Sequence, residues 1–256
     1  MSENNMRTEV SYFNKRSREY KAEYDNETGE GYSFRVRRKK VLAMIPDRTN
    51  VLDIASGPGV MIPGLLLKAC KITCVDAAPE MIERIKDEFG ETPFLTVVVA
   101  DAYRLPFEDE SFEVTLAMGL IEYLENESVF LREVARVLKN GGTFIITFPN
   151  YYAPWRAFNR IGLFVRSLFK NVSKDQSVTH REYTLARARS LLARHGFATE
   201  EARFYNFKLI PYPLDRKLPR LTIWQSKLLE SLDHTPFHFL GTAFILKAKK
   251  ISPEAL

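Results

Sequence analysis

The stretch Val51-Leu-Asp-Ile-Ala-Ser-Gly-Pro-Gly-Val60 decides the fold. An apolar, β-branched run carries an acid near its end, breaks into a loop of small residues and passes into a helical pattern. That order reads as a strand, a tight turn and the start of a helix. Gly57 and Gly59 reach backbone angles closed to other residues and let a ligand lie against the main chain. The N–H groups that open the following helix are expected to point at the same spot. The turn reads as a nucleotide-type binding site.

Outward from the turn, strands are expected near 50–54, 72–76, 95–99, 113–118 and 143–148, and helices near 32–45, 60–70, 79–89 and 127–138. Asn140-Gly-Gly142 reads as a helix stop ahead of the fifth strand. A helix over 184–195 and strands over 201–207 and 241–249 complete the pattern. Strands alternating with helices give an α/β fold with a doubly wound, mostly parallel seven-stranded sheet. Ligands of such sheets bind at the carboxyl ends of the strands. Four regions follow: an N-terminal gating segment (1–31), a ligand-binding core (32–150), an amphipathic cap insertion (151–183), and a C-terminal part of the core (184–256) with an irregular insertion at 208–240.

The chain has 256 residues, 45% hydrophobic and 27% charged, enough for one large α/β domain and ordinary for a globular protein. Charges interrupt every apolar run, so no membrane span is expected. The first residues lack the apolar centre of a signal peptide, and a cytoplasmic protein is expected. Cys70 and Cys74 have no further cysteine and no nearby histidine, so they read as core residues, not as a disulfide or metal site. No acid cluster forms a trusted metal-ligand set. The net charge of +5 suits an anionic ligand or surface, but no nucleic-acid partner is expected.

Three acids fall where the first three strands end: Asp53, Asp76 and Asp101. A carboxylate ending the second strand is placed to accept hydrogen bonds from ribose hydroxyls. Asp101 with Ala102 suits an adenine amino group, and Asp53 suits a positively charged ligand group. A dinucleotide site would want G-x-G-x-x-G, but the third position is Ile62, and Asp53 would repel phosphate.

With these features the chain resembles the class I S-adenosylmethionine-dependent methyltransferases. Val51–Val60 is similar to that family's first motif, hydrophobic-Asp-x-Gly-x-Gly-x-Gly, with Ala55 where the first Gly is usual and Ser56 next. Asp76-Ala77-Ala-Pro-Glu-Met81 resembles the motif after strand two, which implies Asp76 on the ribose and Met81 beside the adenine. Ala100-Asp101-Ala102 and Leu105–Phe112 resemble the third motif, and Met118–Leu124 the fourth, which passes the cofactor's methionine end. Within the superfamily the chain looks most like the ubiquinone- and tetrapyrrole-type O-methyltransferases. By their spacing Arg35 would pair with the cofactor's carboxylate, and Thr179-His180 matches a Thr-His that follows their insertion. Their Glu-His after strand four is Glu122-Tyr123 here.

The resemblance implies S-adenosylmethionine as cofactor and methyl transfer to a hydroxyl of a small aromatic or lipophilic acceptor. A hydroxyl acceptor gains from a general base, and of four histidines His180 is the expected one. His195 before Gly196 reads as a helix cap, and His234 and His238 lie in the second insertion. N-methylation of a sugar, amine or peptide is the alternative, and a non-catalytic binding protein a remoter one. The absence of Asn/Asp-Pro-Pro-Tyr after strand four argues against methylation of nucleic-acid bases. In the 153–170 segment Trp155, Phe158, Ile161, Val165, Leu168 and Phe169 share a helical face opposite Arg156, Arg160, Arg166 and Lys170. Both a bilayer-surface helix and a cap over the site remain open there. Trp224, Phe237 and Phe239 suit an apolar pocket lining, and ordinary core packing explains them nearly as well.

Overall fold

The structure is a computed structural model and describes residues 10–14, 22–24, 26–158, 160, 181–210 and 213–251. Its centre is a seven-stranded sheet of order β3-β2-β1-β4-β5-β7-β6. The strands are β1 (Asn50–Ile54), β2 (Lys71–Asp76), β3 (Leu95–Val99), β4 (Phe112–Ala117), β5 (Leu138–Pro149), β6 (Phe197–Tyr205) and β7 (Ala243–Lys250). β7 runs antiparallel to both neighbours, and the other pairings are parallel. The expected seven-stranded, mostly parallel α/β architecture is the one observed.

Helices cover both faces. One carries α1 (Gly29–Met44), α2 (Ile62–Leu67) and α3 (Pro79–Phe89), and the other α4 (Glu127–Val137) and α5 (Leu185–Ala193). Because the central parallel strands β1, β2 and β4 are buried on both sides, their apolar runs are nearly continuous and their residues split between two cores. Val51 joins Val41, Met61, Cys74 and Ile82 on the first face. Leu52 and Ile54 join Phe130, Phe144 and Phe197 on the second. Cys70 and Cys74 are buried and free, within the core. Helix ends follow local chemistry. Thr28 Oγ1 accepts from Gly31 N–H at 3.0 Å to start α1, and Asn126 Oδ1 accepts from Val129 N–H at 3.2 Å to start α4.

Four sequence expectations change. The helix after the glycine turn spans only Ile62–Leu67, so the turn itself, not a helix N-terminus, faces the ligand region. α4 ends at Val137, and Asn140–Gly142 forms a bulge inside β5, where Leu138 pairs with Phe112 and Thr143 already with Val114. β6 begins at Phe197, ahead of the expected 201, because an edge strand tolerates polar residues such as Thr199 and Glu201. The 208–240 insertion is largely helical, with α6 (Leu214–Lys217), α7 (Pro219–Leu229) and 3₁₀ turns at Glu230–His234 and Pro236–Leu240.

The order of the strands fixes where a ligand can enter. The chain leaves β1 toward β2 and β3 on one side, then returns to β4 on the other. Loops after β1 and β4 therefore part and leave a crevice at their carboxyl ends.

Candidate functional site

A cleft occupies that crevice. Its floor is the β1 turn (Ile54, Ala55, Ser56, Gly57), and its walls are the ends of β2, β3 and β4. Of the residues expected to hold the cofactor, Ala55, Ser56, Gly57, Asp76, Ala77, Met81, Asp101, Ala102 and Met118 line it.

The turn is held from the neighbouring strand. Asp76 Oδ2 accepts from Gly57 N–H and Oδ1 from Ala78 N–H, both at 2.9 Å. Ser56 N–H donates to Val75 O at 3.0 Å. Burial raises the Asp76 pKa, and these N–H groups oppose the rise. Both Asp76 oxygens thus have fixed directions with lone pairs to spare for a ligand diol. Asp101 Oδ1 accepts from Tyr103 N–H at 2.9 Å, which sets its carboxylate at the rim.

Ala55 stands at φ +55°, in the left-handed region shared by Gly57 at +54° and Gly59 at +75°. The departure from Gly at 55 therefore keeps the family-like bend at the cost of backbone strain. Gly59 lies behind the cleft. A Cβ there would fall 2.5 Å from Ile62 Cδ1, so this glycine lets the turn pack on the first core.

Asp53 lies beneath the floor. It is buried, and neither carboxylate oxygen has a hydrogen-bond partner among the described residues. Burial, reinforced by the Asp76 charge and partly offset by Arg37, pushes its pKa up to about 7. An orphaned carboxylate in this position suits a cationic ligand.

Arg35 is not part of the cleft. Its guanidinium donates to Tyr24 O at 2.6 Å and Asn26 O at 3.0 Å, tying α1 to the preceding segment. Arg37 lines the cleft instead. It is buried, donates to Tyr24 Oη at 2.7 Å, and lies under Phe34. It also crowds Gly119, where a Cβ would meet its Nη1 at 2.9 Å. Sequence offered a signal that was missed: Arg37, Val41 and Met44 share the buried stripe of α1. Glu122 is the other overlooked group. Its Oε2 is buried without a partner among the described residues, and burial raises its pKa against the nearby Arg37 and Arg156.

Away from the floor the cleft is apolar and aromatic. Val10, Phe13, Tyr24, Tyr103, Leu120, Tyr123 and Leu124 line it, with Glu125 as an acid. Phe13 meets Tyr123 edge-on at 5.3 Å. Residues 10–14 of the expected gating segment thus form part of the wall.

His180 lies outside the described residues, as does 161–180 of the cap insertion. The other histidines have local roles. His195 Nδ1 sits 2.8 Å from Leu191 O, His234 meets Arg203, and His238 packs on Phe204. Trp224, Phe237 and Phe239, expected in a pocket or the core, are exposed on the surface. No helix among the described residues is long and apolar enough to cross a membrane. None of the described His, Cys, Asp and Glu residues form a cluster that could hold a metal ion.

Comparison with known proteins agrees with this geometry. A family model described as a methyltransferase domain matches residues 52–146. A malonyl-[acyl-carrier protein] O-methyltransferase of Geobacter sulfurreducens is 30% identical over 59% of this chain and 56% of its own. A phosphatidylethanolamine N-methyltransferase of Cereibacter sphaeroides is 31% identical over 54% of this chain and 68% of its own. The chain spans about half the length of several curated relatives, as with the 56% above and 48% of a demethylmenaquinone methyltransferase of Thermotoga maritima. Among solved structures, magnesium protoporphyrin IX methyltransferase from Synechocystis, with bound SAH, superposes with a TM-score of 0.64 at 13% identity, over 94% of this chain and 97% of its own. The strand order, the carboxylates at the ends of β1, β2 and β3, and these relatives together show that the chain belongs to the class I S-adenosylmethionine-dependent methyltransferases.

Proposed function

We propose that the protein methylates a hydroxyl of a small aromatic or lipophilic acceptor. The observation that carries this reading is the change of character along the cleft, from carboxylates at the strand ends to an aromatic wall at the N-terminal segment. When bound, S-adenosylmethionine supplies an electrophilic methyl carbon on a positively charged sulfur.

The chain's own residues then have separable tasks. Asp76 accepts from the ribose hydroxyls, while Asp101 and Ala102 bound the adenine, which Met81 flanks. Arg37 pairs with the cofactor's carboxylate, and Asp53 offsets its positive charge from below. Glu122, behind Arg37, holds the guanidinium in place. Tyr123, Phe13 and Leu124 exclude water and orient a flat or greasy acceptor toward the methyl carbon.

His180 is the proposed base. Its neighbour Arg181 donates its N–H to Glu122 O at 3.4 Å, one residue from the cleft-lining Tyr123. A second reading, N-methylation of an amine, is favoured by Glu125 in the wall, which would attract an ammonium group.

Incubating a cell extract with the protein and methyl-labelled cofactor, then reading products by mass spectrometry, tests the proposal. Label on an oxygen of an apolar compound is the expected result. Label on nitrogen alone would overturn it in favour of the amine reading.

A further inference from the structure

Helix α7 is built with its polarity reversed. The residues it turns toward the protein are Thr222, Ile223 and Ser226, and Gly29 of α1 approaches Thr222 Cγ2 at 3.4 Å from where a Cβ would stand. Outward it turns a row of large apolar side chains beside Arg220 and Lys227. Leu221, Trp224 and Leu228 follow one another at spacings of three and four and form a stripe along α7, and Leu214 and Leu218 are exposed on α6 and at the break before α7. Each is between 46% and 62% exposed. A surface helix ordinarily does the opposite, and a continuous exposed stripe of this kind marks a contact face.

Charge says what the contact is. Lys217, Arg220 and Lys227 are exposed beside the stripe. The only carboxylate in 213–229, Asp215, is buried and paired with Lys208. Lys227 also joins Arg35 and Lys39 in a shallow groove between α1 and α7, with Tyr32, Val36 and Glu27 as its other walls. Two copies of the face pressed together about a two-fold axis would bring these cations against each other. An anionic bilayer suits both features, since leucines enter the acyl boundary, a tryptophan settles at the headgroup level, and lysine and arginine reach the lipid phosphates.

We propose that the α6–α7 face docks the protein onto an anionic lipid surface. This placement is independent of the chemistry in the cleft and of the 153–170 segment. α7 packs on α1, the helix that carries Arg37 to the cleft. Docking there would hold the cofactor end of the protein close to the bilayer.

Trp155 and Trp224 are the two tryptophans, so W155F leaves Trp224 as a single reporter. The W155F protein is mixed with vesicles of phosphatidylglycerol in phosphatidylcholine and with vesicles of phosphatidylcholine alone. The expected result is a blue shift of Trp224 emission and co-flotation with the anionic vesicles only, both weakened by salt. L221E/L228E, folded by circular dichroism, is expected to lower vesicle partitioning by at least about tenfold. Absence of flotation overturns the proposal. So does undiminished flotation of the double variant, which would assign membrane contact to another segment. A concentration-dependent dimer that the double variant abolishes, without flotation, overturns it in favour of a second copy on the stripe.

Discussion

Asp76 at the end of β2 accepts a hydrogen bond from the main chain of Gly57, 2.9 Å away in the turn after β1. One carboxylate thus shapes the turn and presents lone pairs to the ligand. Asp76→Ala removes both functions, whereas Asp76→Asn keeps an acceptor for Gly57. Cofactor dissociation constants from calorimetry are expected to rise by about a hundredfold for Ala and about tenfold for Asn. Near-normal binding by the Asn variant would show that the turn, not the diol, is what Asp76 serves.

The left-handed Ala55 stores strain that glycine would not. Ala55→Gly is expected to raise unfolding stability in urea by up to about 1 kcal/mol, because the folded-state gain exceeds glycine's entropy cost. Ala55→Val adds a β-branch at φ +55° and is expected to cost more than about 2 kcal/mol. A neutral Val variant would mean that the turn has moved.

Asp53 couples pH to both stability and binding. Its folded pKa is raised, from the ordinary 3.8 to about 7. Its contribution to stability is therefore fully present below pH 4 and lost as pH rises through about 7. A cationic ligand needs the ionised form, so cofactor affinity is expected to rise over the same interval and then level. Asp53→Asn should stabilise the ligand-free protein at alkaline pH by roughly 1–3 kcal/mol, flatten the pH profile and weaken cofactor binding. Thermal melts and titrations across pH check all three, and an unchanged pH profile in the variant would exclude Asp53 as the titrating group.

Arg37 and Arg35 are two residues apart and do different work. Arg37→Met is expected to weaken S-adenosylmethionine binding by at least about tenfold. Binding of 5′-methylthioadenosine, which lacks the amino-acid carboxylate, should be nearly unaffected. Arg35→Met removes bonds to the Tyr24 and Asn26 carbonyls, so it should lower stability by about 1–2 kcal/mol and leave the ratio of the two ligands unchanged.

Tyr183 anchors the chain where it returns to the core. It is fully buried, and its Oη donates to Glu127 Oε1 at 2.6 Å. Tyr183→Phe leaves that carboxylate without its hydroxyl partner and is expected to cost about 1–3 kcal/mol in urea unfolding. An unchanged midpoint would show that Arg181 and Arg187, which also reach Glu127, take over.

The parallel strands and the acids at their ends could be read directly from the chain. A strand buried on both faces is written as an unbroken apolar run, and an acid closing such a run stands out. The turn at 55–59, Asp76 and Asp101 were legible for that reason, whereas Met118 followed only from the family resemblance. Edge strand β6 was placed late, since one open face lets Thr199 and Glu201 into it. Only the tertiary structure decided which arginine faces the cleft. Residues two apart on a helix point about 200° away from each other, and Val41 and Met44, packed against the sheet, set the rotation of α1 that turns Arg37 inward. The same holds for Trp224. Its apolar character was plain in sequence, but the buried Thr222, Ile223 and Ser226, with Thr222 against Gly29, sent it outward, because the side that packs is chosen by fit between elements and not by hydrophobicity alone.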